Sequence, residues 1–372
     1  MNEVTTGWLS VRRSVVLGLS VLGVFGSACA PTQHIQMEEV VLQASEEGEG
    51  HKIEVIDPEE LFHAAAEAFR NRDYATAEQK YALILERFAD TRWGGLSKYN
   101  RAVCLLKLER WEEAAVIFGD IAEERAGTKD AHDALFQLTT CHEKLEQWVE
   151  VDNALTLVLS PAWKGIIASD RLEAYARRGI ARRALGKLKE AERDLRRVMD
   201  VYASNREDVV VRESPYVSLA EFTIGEMHRE RFSAVKFRLP LDAMQEQLQA
   251  KIEHFLRAQN AYLRTVRHHH PEYAVRAGFM LGALFEMMTD DMQAAEIPED
   301  LSPEELEVYK EELRKELVPL AEKAVDIFKR TIRLGRKFAH DGEWIKRTEK
   351  SLKRMQALVD EGAKFAAEEA KT

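Results

Sequence analysis

Between residues 58 and 203 the apolar positions recur every three or four residues, the period of a helix with one buried stripe. The pattern breaks at regular intervals, and each break is followed by the same sequence of sizes. A bulky residue comes first: Tyr74, Trp111, Trp148 and Leu188. A smaller one stands three positions later: Ala77, Ala114, Val151 and Ala191. A large one follows four further on: Tyr81, Phe118, Leu155 and Leu195. The bulky residues are spaced by 37, 37 and 40 positions. A period in this range predicts stacked helix-turn-helix units, with the bulky residue plugging each turn and the small one letting two helices approach. No convincing period-two alternation occurs, so no strands are predicted.

Start signals support the helices. Asp57 before Pro58, with Glu60 three later, predicts a capped first helix. Asp170 with Glu173 predicts the start of the fourth unit. Beyond Ser214 and Pro215 the period loosens. There Ile224-Gly225-Glu226-Met227-His228 has the spacing of Leu281-Gly282-Ala283-Leu284-Phe285. Two long helices are predicted, Leu241 to Arg267 and Ser302 to about Phe338, the second kinked or restarted at Pro319. Loops are expected over 232–239 and 289–301, and Asp341 is expected to cap a last helix. The fold class is all-α: an α-solenoid of stacked hairpins with an irregular helical C-terminal part. The expected division is 1–28 export signal, 29–57 acidic flexible tether and 58–203 four repeats. A connector at 204–213, degenerate hairpins with a capping helix at 214–360 and a disordered tail at 361–372 complete it.

Composition agrees with this reading. The 372 residues are 45% hydrophobic and 31% charged, with only nine prolines, which favours helix throughout. The net charge of −11 disfavours nucleic acid as a partner, because phosphate binding needs a basic face. Arg12 and Arg13 precede an apolar run, Val15 to Phe25, which closes on small residues. The run is shorter than the about 20 residues a spanning helix needs, so an export signal is expected. Gly26-Ser27-Ala28-Cys29 resembles a bacterial lipobox, with Gly26 where that family prefers Leu. The resemblance implies lipidation of Cys29. Cleavage by an ordinary signal peptidase and an uncleaved anchor are the competing routes. Glu38, Glu39, Glu46, Glu47 and Glu49, broken by Gly48 and Gly50, read as a solvated tether.

The repeated residues resemble the tetratricopeptide repeat (TPR). Ala65, Tyr74, Ala77 and Tyr81 match it, as do Ala102, Trp111, Ala114 and Phe118. Gly179, Leu188, Ala191 and Leu195 match with Leu in place of aromatics, and the unit around Trp148 carries Thr139, Val151 and Leu155 at those sites. The spacings exceed the about 34 residues usual for the family.

The TPR family binds peptides in a concave groove lined by the first helix of each hairpin. By register, the resemblance implies groove positions at Phe62, Phe69, Arg70, Tyr99, Leu106, Lys107, Phe136, Lys144, Ile180 and Arg183. Arg70, Lys107 and Lys144 each stand four residues before a turn aromatic, and a row of cations suits an acidic or carboxylate-ended segment. They also suit a plainer role, balancing helix C-terminal dipoles. The asparagines of the chaperone-binding carboxylate clamp are missing. Cys104 and Cys141 share a register in adjacent units. Stacked helices would hold them about 10 Å apart, beyond the roughly 7 Å reach of a disulfide, so buried thiols are expected. His268-His269-His270 stands before Pro271, and three adjacent histidines point to different helix faces, a poor metal arrangement. No nucleophile elbow, phosphate loop or paired metal-ligand motif occurs. No enzyme activity and no cofactor are expected. The expected function is an exported, lipid-anchored scaffold for other envelope proteins, facing the periplasm from the outer membrane. The resemblance implies service to a secretion, pilus, gliding-motility or outer-membrane assembly. A spacer or self-oligomerising envelope protein is the alternative, with an enzyme subunit carrying its site in the C-terminal half behind it.

Overall fold

The structure is a computed structural model that describes residues 41–47, 50–161, 163, 165–338 and 342–369. Two units are distinguished, one ending at Val55 and one beginning at Ile56. The first contains two paired strands, β1 (Val41–Glu47) and β2 (Gly50–Ile56). Only two residues separate them, and so short a link allows antiparallel pairing but no parallel crossover. This corrects the expectation of a strand-free flexible tether over 41–56. Its physical basis is the alternation of Ile53 and Val55 with Lys52 and Glu54.

From Pro58 on, the regular elements among the described residues of the second unit are all helices. Hairpin one pairs α1 (Pro58–Arg70) with α2 (Tyr74–Arg87), and hairpin two pairs α3 (Arg92–Lys107) with α4 (Trp111–Glu124). Hairpin three pairs α5 (Lys129–Lys144) with α6 (Trp148–Val158), and hairpin four pairs α7 (Ala168–Ala184) with α8 (Leu188–Ser204). After a one-turn α9 (Val209–Arg212), hairpin five pairs α10 (Pro215–Ala234) with α11 (Leu241–Arg267). Hairpin six pairs α12 (Pro271–Gln293) with α13 (Pro303–Lys337), and α14 (Glu343–Glu369) covers its end.

Local chemistry sets these boundaries. Asp57 accepts from the Glu59 amide at 2.8 Å, and Ser302 and Glu305 form a reciprocal capping box. The fourth unit starts differently from expectation: Ile167 is the cap, and Asp170 lies in the first turn of α7. There its charge still favours the helix N-terminus. α13 runs unbroken through Pro319, which is exposed, so no new segment begins there. α14 continues to Glu369, which corrects the expectation of disorder from 361. Residue 341, expected as a cap, and the segment 1–40 with Cys29 lie outside the described residues.

The turns between paired helices repeat one geometry. Two residues before each turn position the backbone is left-handed: Arg72 (φ 64°), Glu109 (φ 59°), Glu146 (φ 54°) and Gly186 (φ 73°). The amide after each reaches back five residues, from Asp73 to Ala68, Arg110 to Leu105, Gln147 to His142 and Lys187 to Arg182. This closing bond satisfies carbonyls that a helix end otherwise leaves unpaired.

Packing repeats as well. Ala65, Ala102, Thr139 and Gly179 in the first helices are buried, and sixteen positions later stand Tyr81, Phe118, Leu155 and Leu195, each no more than 2% exposed. A Cβ on Gly179 would meet the Leu195 side chain at 2.8 Å. The same meeting recurs in the irregular half. There Gly225 lies against Tyr262 and Gly282 against Phe328, with would-be Cβ contacts of 2.6 and 2.3 Å. Tyr262 and Phe328 are fully buried. The register therefore runs through all six hairpins. Helices α11 and α13 are longer, which lengthens the chain between partners and hides the period in the sequence.

Candidate partner-binding face

First helices touch first helices at three steps of the array: α1 meets α3, α7 meets α10, and α10 meets α12. α5 and α7 are joined by side chains. Arg177 of α7, 7% exposed, donates to both carboxylate oxygens of Glu143 at 2.8 and 3.0 Å and to Thr140 Oγ1 at 3.0 Å. It also donates to Glu173 at 2.8 Å. Second helices instead pack onto the next first helix. The closer approach of the first helices makes them the inner layer of the curve, where a bound segment would lie.

Three columns on this layer can be followed from the buried small residue of each hairpin. Five positions beyond it stand Arg70, Lys107 and Lys144, all exposed in the last turns of α1, α3 and α5. Lys144 lies 5.8 Å from the centroid of the Trp111 ring in the preceding hairpin, a cation–π distance. Four positions beyond the small residue stand Phe69, Leu106, Glu143 and Arg183. Phe69 packs edge-on to Tyr74 at 5.2 Å, and Leu106 is half-buried. Three positions before it stand Phe62, Tyr99 and Phe136.

The structure divides the expected groove residues. Arg70, Lys107 and Lys144 stay exposed, and Phe69, Leu106, Tyr99, Phe136 and Ile180 are half-buried. Phe62 is 2% exposed, wedged against Tyr81 and Trp93 at ring distances of 5.5 and 4.9 Å, so it is core and cannot meet a partner. Arg183 sits one position off the cation column and pairs with Glu230 of α10. Its charge ties hairpins four and five together. Tyr99 rests on Phe118, and burial pushes its phenol up to about 12, so it stays neutral as a donor and acceptor. Leu188 is 39% exposed and does not plug its turn, whereas Tyr74, Trp111 and Trp148 are half-buried. Leu96, 47% exposed and six positions before Ala102, belongs to the face and was missed. Its distance from the turn put it beyond the register signal.

Beyond hairpin three the inner and inter-hairpin groups are consumed by internal pairing. Arg178 donates to both oxygens of Asp194 at 2.7 and 2.8 Å, and Arg182 bridges Asp152 and Asp194 at 2.8 Å each. Lys187 completes Asp152 at 2.8 Å. Burial pushes the Asp152 carboxyl up, but the bonds from Lys187 and Arg182 outweigh it and hold it below the usual range. This network lies beside the apolar contacts of α6 with α7 and of α8 with α10 and commits its charges internally. Hairpins one to three are the exception, with an apolar strip beside unneutralised lysines.

The other candidates have plain positions. Cys104 and Cys141 are buried and unbridged, and burial pushes both thiols up to about 12, so they behave as small apolar groups. The three histidines span the turn between α11 and α12. His268 faces Tyr202, His269 takes a left-handed backbone and His270 caps α12 beside Tyr273.

Six hairpins share one small-on-large register, and the four A–B turns of hairpins one to four share one geometry. The fold is a TPR-type solenoid. No family model and no curated protein sequence matches the chain. Among the solved structures similar to it are three repeat proteins. One is a tetratricopeptide repeat protein from Parabacteroides merdae, 15% identical over 80% of this chain and 98% of that one, with a TM-score of 0.38. Another is a TPR repeats protein from Bacteroides fragilis, 15% identical over 81% and 99%, with a TM-score of 0.32. A third holds the nearly identical TPR-like repeats of a kinesin light chain from Podosopora anserina, 15% identical over 53% and 96%, with a TM-score of 0.38. At this identity the likeness reaches no further than the helical-repeat fold. Among the described residues no helix is long and apolar enough to cross a membrane.

Proposed function

We propose that this TPR-type chain is a non-catalytic scaffold of the bacterial envelope that holds an extended segment of a partner protein on hairpins one to three. The observation that carries the reading is the column Arg70, Lys107 and Lys144. These cations stand exposed at one register position, on first helices that also carry the exposed Leu96 and the half-buried Leu106 and Phe136, in a chain of net charge −11. An apolar strip bordered by cations fits a segment with alternating apolar and acidic residues, or one ending in a carboxylate. The first helices supply a rigid platform, so little ordering cost falls on the scaffold. Placement in the envelope rests on the apolar run Val15 to Phe25 and the lipobox-like Gly26-Ser27-Ala28-Cys29, with Cys29 as the lipid anchor to the outer membrane.

The test places a photo-crosslinking side chain at Leu96 or Leu106 in the full-length chain and recovers adducts from membranes. A defined adduct should form, and it should fall sharply when Lys107→Glu and Lys144→Glu are combined. An adduct pattern unchanged by that pair would sink the groove reading. Palmitate labelling that disappears in Cys29→Ala checks the anchor, and label retained in that variant would refute it.

A further inference from the structure

The last two helices pack antiparallel. Arg314 of α13 lies 4.5 Å from the Phe365 ring of α14, and Lys329 Nζ meets Gln356 Oε1 at 3.2 Å. The C-terminal half of α13 therefore lies beside the N-terminal half of α14, and these are the basic halves of both. From Asp326 to Arg354 the sequence carries ten Lys and Arg against four Asp and Glu, in a chain of net charge −11. Three of those cations are used internally. Arg330 pairs with Asp326, Arg347 with Glu343, and Arg354 with Glu286 and Asp290. Among the described residues the other seven meet no carboxylate, and all seven are exposed. They are Lys329, Arg333, Arg336 and Lys337 on α13, and Lys346, Lys350 and Lys353 on α14.

Folding does not account for these charges. Arg336 and Lys337 suit the C-terminal dipole of α13, but Lys346 stands in the first turn of α14, where the dipole opposes a cation. Lys329 and Arg333, Arg333 and Lys337, and Lys346 and Lys350 are like charges four apart on one helix, which costs helix stability. Glu349, exposed on α14, offsets one charge of the seven. An anion arriving from outside would offset the rest. A groove of about 440 Å³ between the two helices is lined by Lys329, Arg333 and Arg336, with Asp326, Ile332 and Leu352. Ile332 is buried and Leu352 half-buried, and among the described residues after Val308 no large apolar side chain is exposed. A protein partner would want an apolar or aromatic anchor at the centre of such a face. This face offers charge instead, five of its seven cations being lysines on flexible stems. Mobile phosphates at a bilayer surface suit that pattern, and a cluster of about four to eight cations is the size that anionic lipid surfaces retain.

We propose that the α13–α14 face adsorbs to an anionic phospholipid surface, its seven unneutralised cations set against headgroup phosphates. The attachment is electrostatic and shallow, since the face exposes no large apolar side chain to enter the acyl region. Each cation contributes about fivefold to partitioning, so the attachment is reversible and weakens with salt. It depends neither on the partner-binding face of hairpins one to three nor on Cys29. Adsorption by this face would fix which side of the helical unit is turned to the bilayer.

The test uses the full-length chain with Cys29→Ala, so that no acyl group holds it. Ala357→Cys, exposed on α14 four residues after Lys353, carries a polarity-sensitive fluorophore, while Cys104 and Cys141 are buried. Its emission should shift on vesicles of phosphatidylcholine with about 30% phosphatidylglycerol and return when salt is raised. It should stay unchanged on phosphatidylcholine alone, into which the run Val15 to Phe25 partitions as well. The same label at Val116→Cys, 65% exposed on α4, should not respond to the anionic lipid. Lys346→Gln, Lys350→Gln and Lys353→Gln together should lower the ratio of shifted to unshifted label about a hundredfold, with circular dichroism unchanged. Arg333→Gln with Arg336→Gln, on the other helix, should lower it about twenty-fivefold. An equal shift on neutral and anionic vesicles, or no shift on either, would overturn the proposal. So would a shift that survives both sets of substitutions. An equal shift with soluble oligoglutamate would also overturn it and assign the face to an acidic protein segment.

Discussion

Lys251 and Asp291 meet at 2.8 Å in the C-terminal half, with the lysine side chain wholly removed from solvent. The same ammonium donates to the Phe232 and Val235 carbonyls at 2.9 and 2.7 Å, closing the end of α10. It also lies 4.0 Å from the Phe232 ring centroid. Burial pulls the lysine down from its usual range, and the hydrogen bond to Asp291 opposes that pull. Asp291 thus joins α12 to α11, and Lys251 joins both to the end of α10. One charge pair fixes three helices.

Asp291→Asn should therefore destabilise the fold by about 3–5 kcal/mol, since it leaves a buried cation without its counter-charge. Lys251→Met with Asp291→Leu should cost less than the two single changes added together, because no buried charge is left unpaired. It should stay below the parent chain, because the Phe232 and Val235 carbonyls and Lys236 lose their partners. Urea denaturation of the four members of the cycle measures the coupling. Additive losses would show that the pair does not act as a unit.

Close approach in the C-terminal hairpins depends on glycine. Gly282→Ala should cost about 1–3 kcal/mol because its Cβ would sit 2.3 Å from the Phe328 ring. Gly119→Ala, with nothing within 4 Å, should instead stabilise by about 0.5–1 kcal/mol through helix propensity. Thermal melts by circular dichroism should move in opposite directions.

Glu146 occupies, at φ 54°, the left-handed turn position that Gly186 fills in the next hairpin. Glu146→Gly should stabilise by about 0.5–1 kcal/mol by relieving the Cβ clash of that conformation. Gly186→Ala should destabilise by about 1 kcal/mol although space is open around it, since the strain is in the backbone. A rise in denaturation midpoint for the first and a fall for the second would be read in the same assay.

His228 should make the fold acid-sensitive. It is 2% exposed and stacks on His254, with ring centroids 6.0 Å apart. Burial holds its imidazole down at about 4, against the attraction of Glu192. Its folded pKa lies below the unfolded value of about 6.5, so below that pH the unfolded chain binds the proton more readily. Stability is full above about pH 6.5 and falls as pH drops from there towards 4. The loss by pH 5 from this group is about 2 kcal/mol. His254 and His268 are shifted down by burial in the same direction and add to it. Denaturation midpoints at pH 7 and pH 5 should differ less in His228→Gln than in the parent chain. An unchanged difference would remove His228 as a cause.

The helices, the first four turns and the long α11 were legible in the sequence because they depend on local chemistry. Caps such as Asp57 and Ser302, helical periodicity and the recurring Tyr74, Trp111 and Trp148 act over a few residues. The strand pair is legible only in the short alternation of Lys52 to Val55, which the neighbouring glutamates and glycines mask. Which side chains face outward was decided by tertiary packing. Phe62 and Phe69 look alike as apolar residues of α1, yet Tyr81 and Trp93 close over the first and leave the second half open. Arg183 looks like Lys107 and Lys144, yet one position of helical rotation turns it to Glu230 on α10. The pairing of Gly225 with Tyr262 and of Gly282 with Phe328 likewise spans long helices, so no fixed sequence spacing reveals it. Local spacing determines which helices form. Only their packing determines which charges remain unneutralised and which apolar side chains stay at the surface.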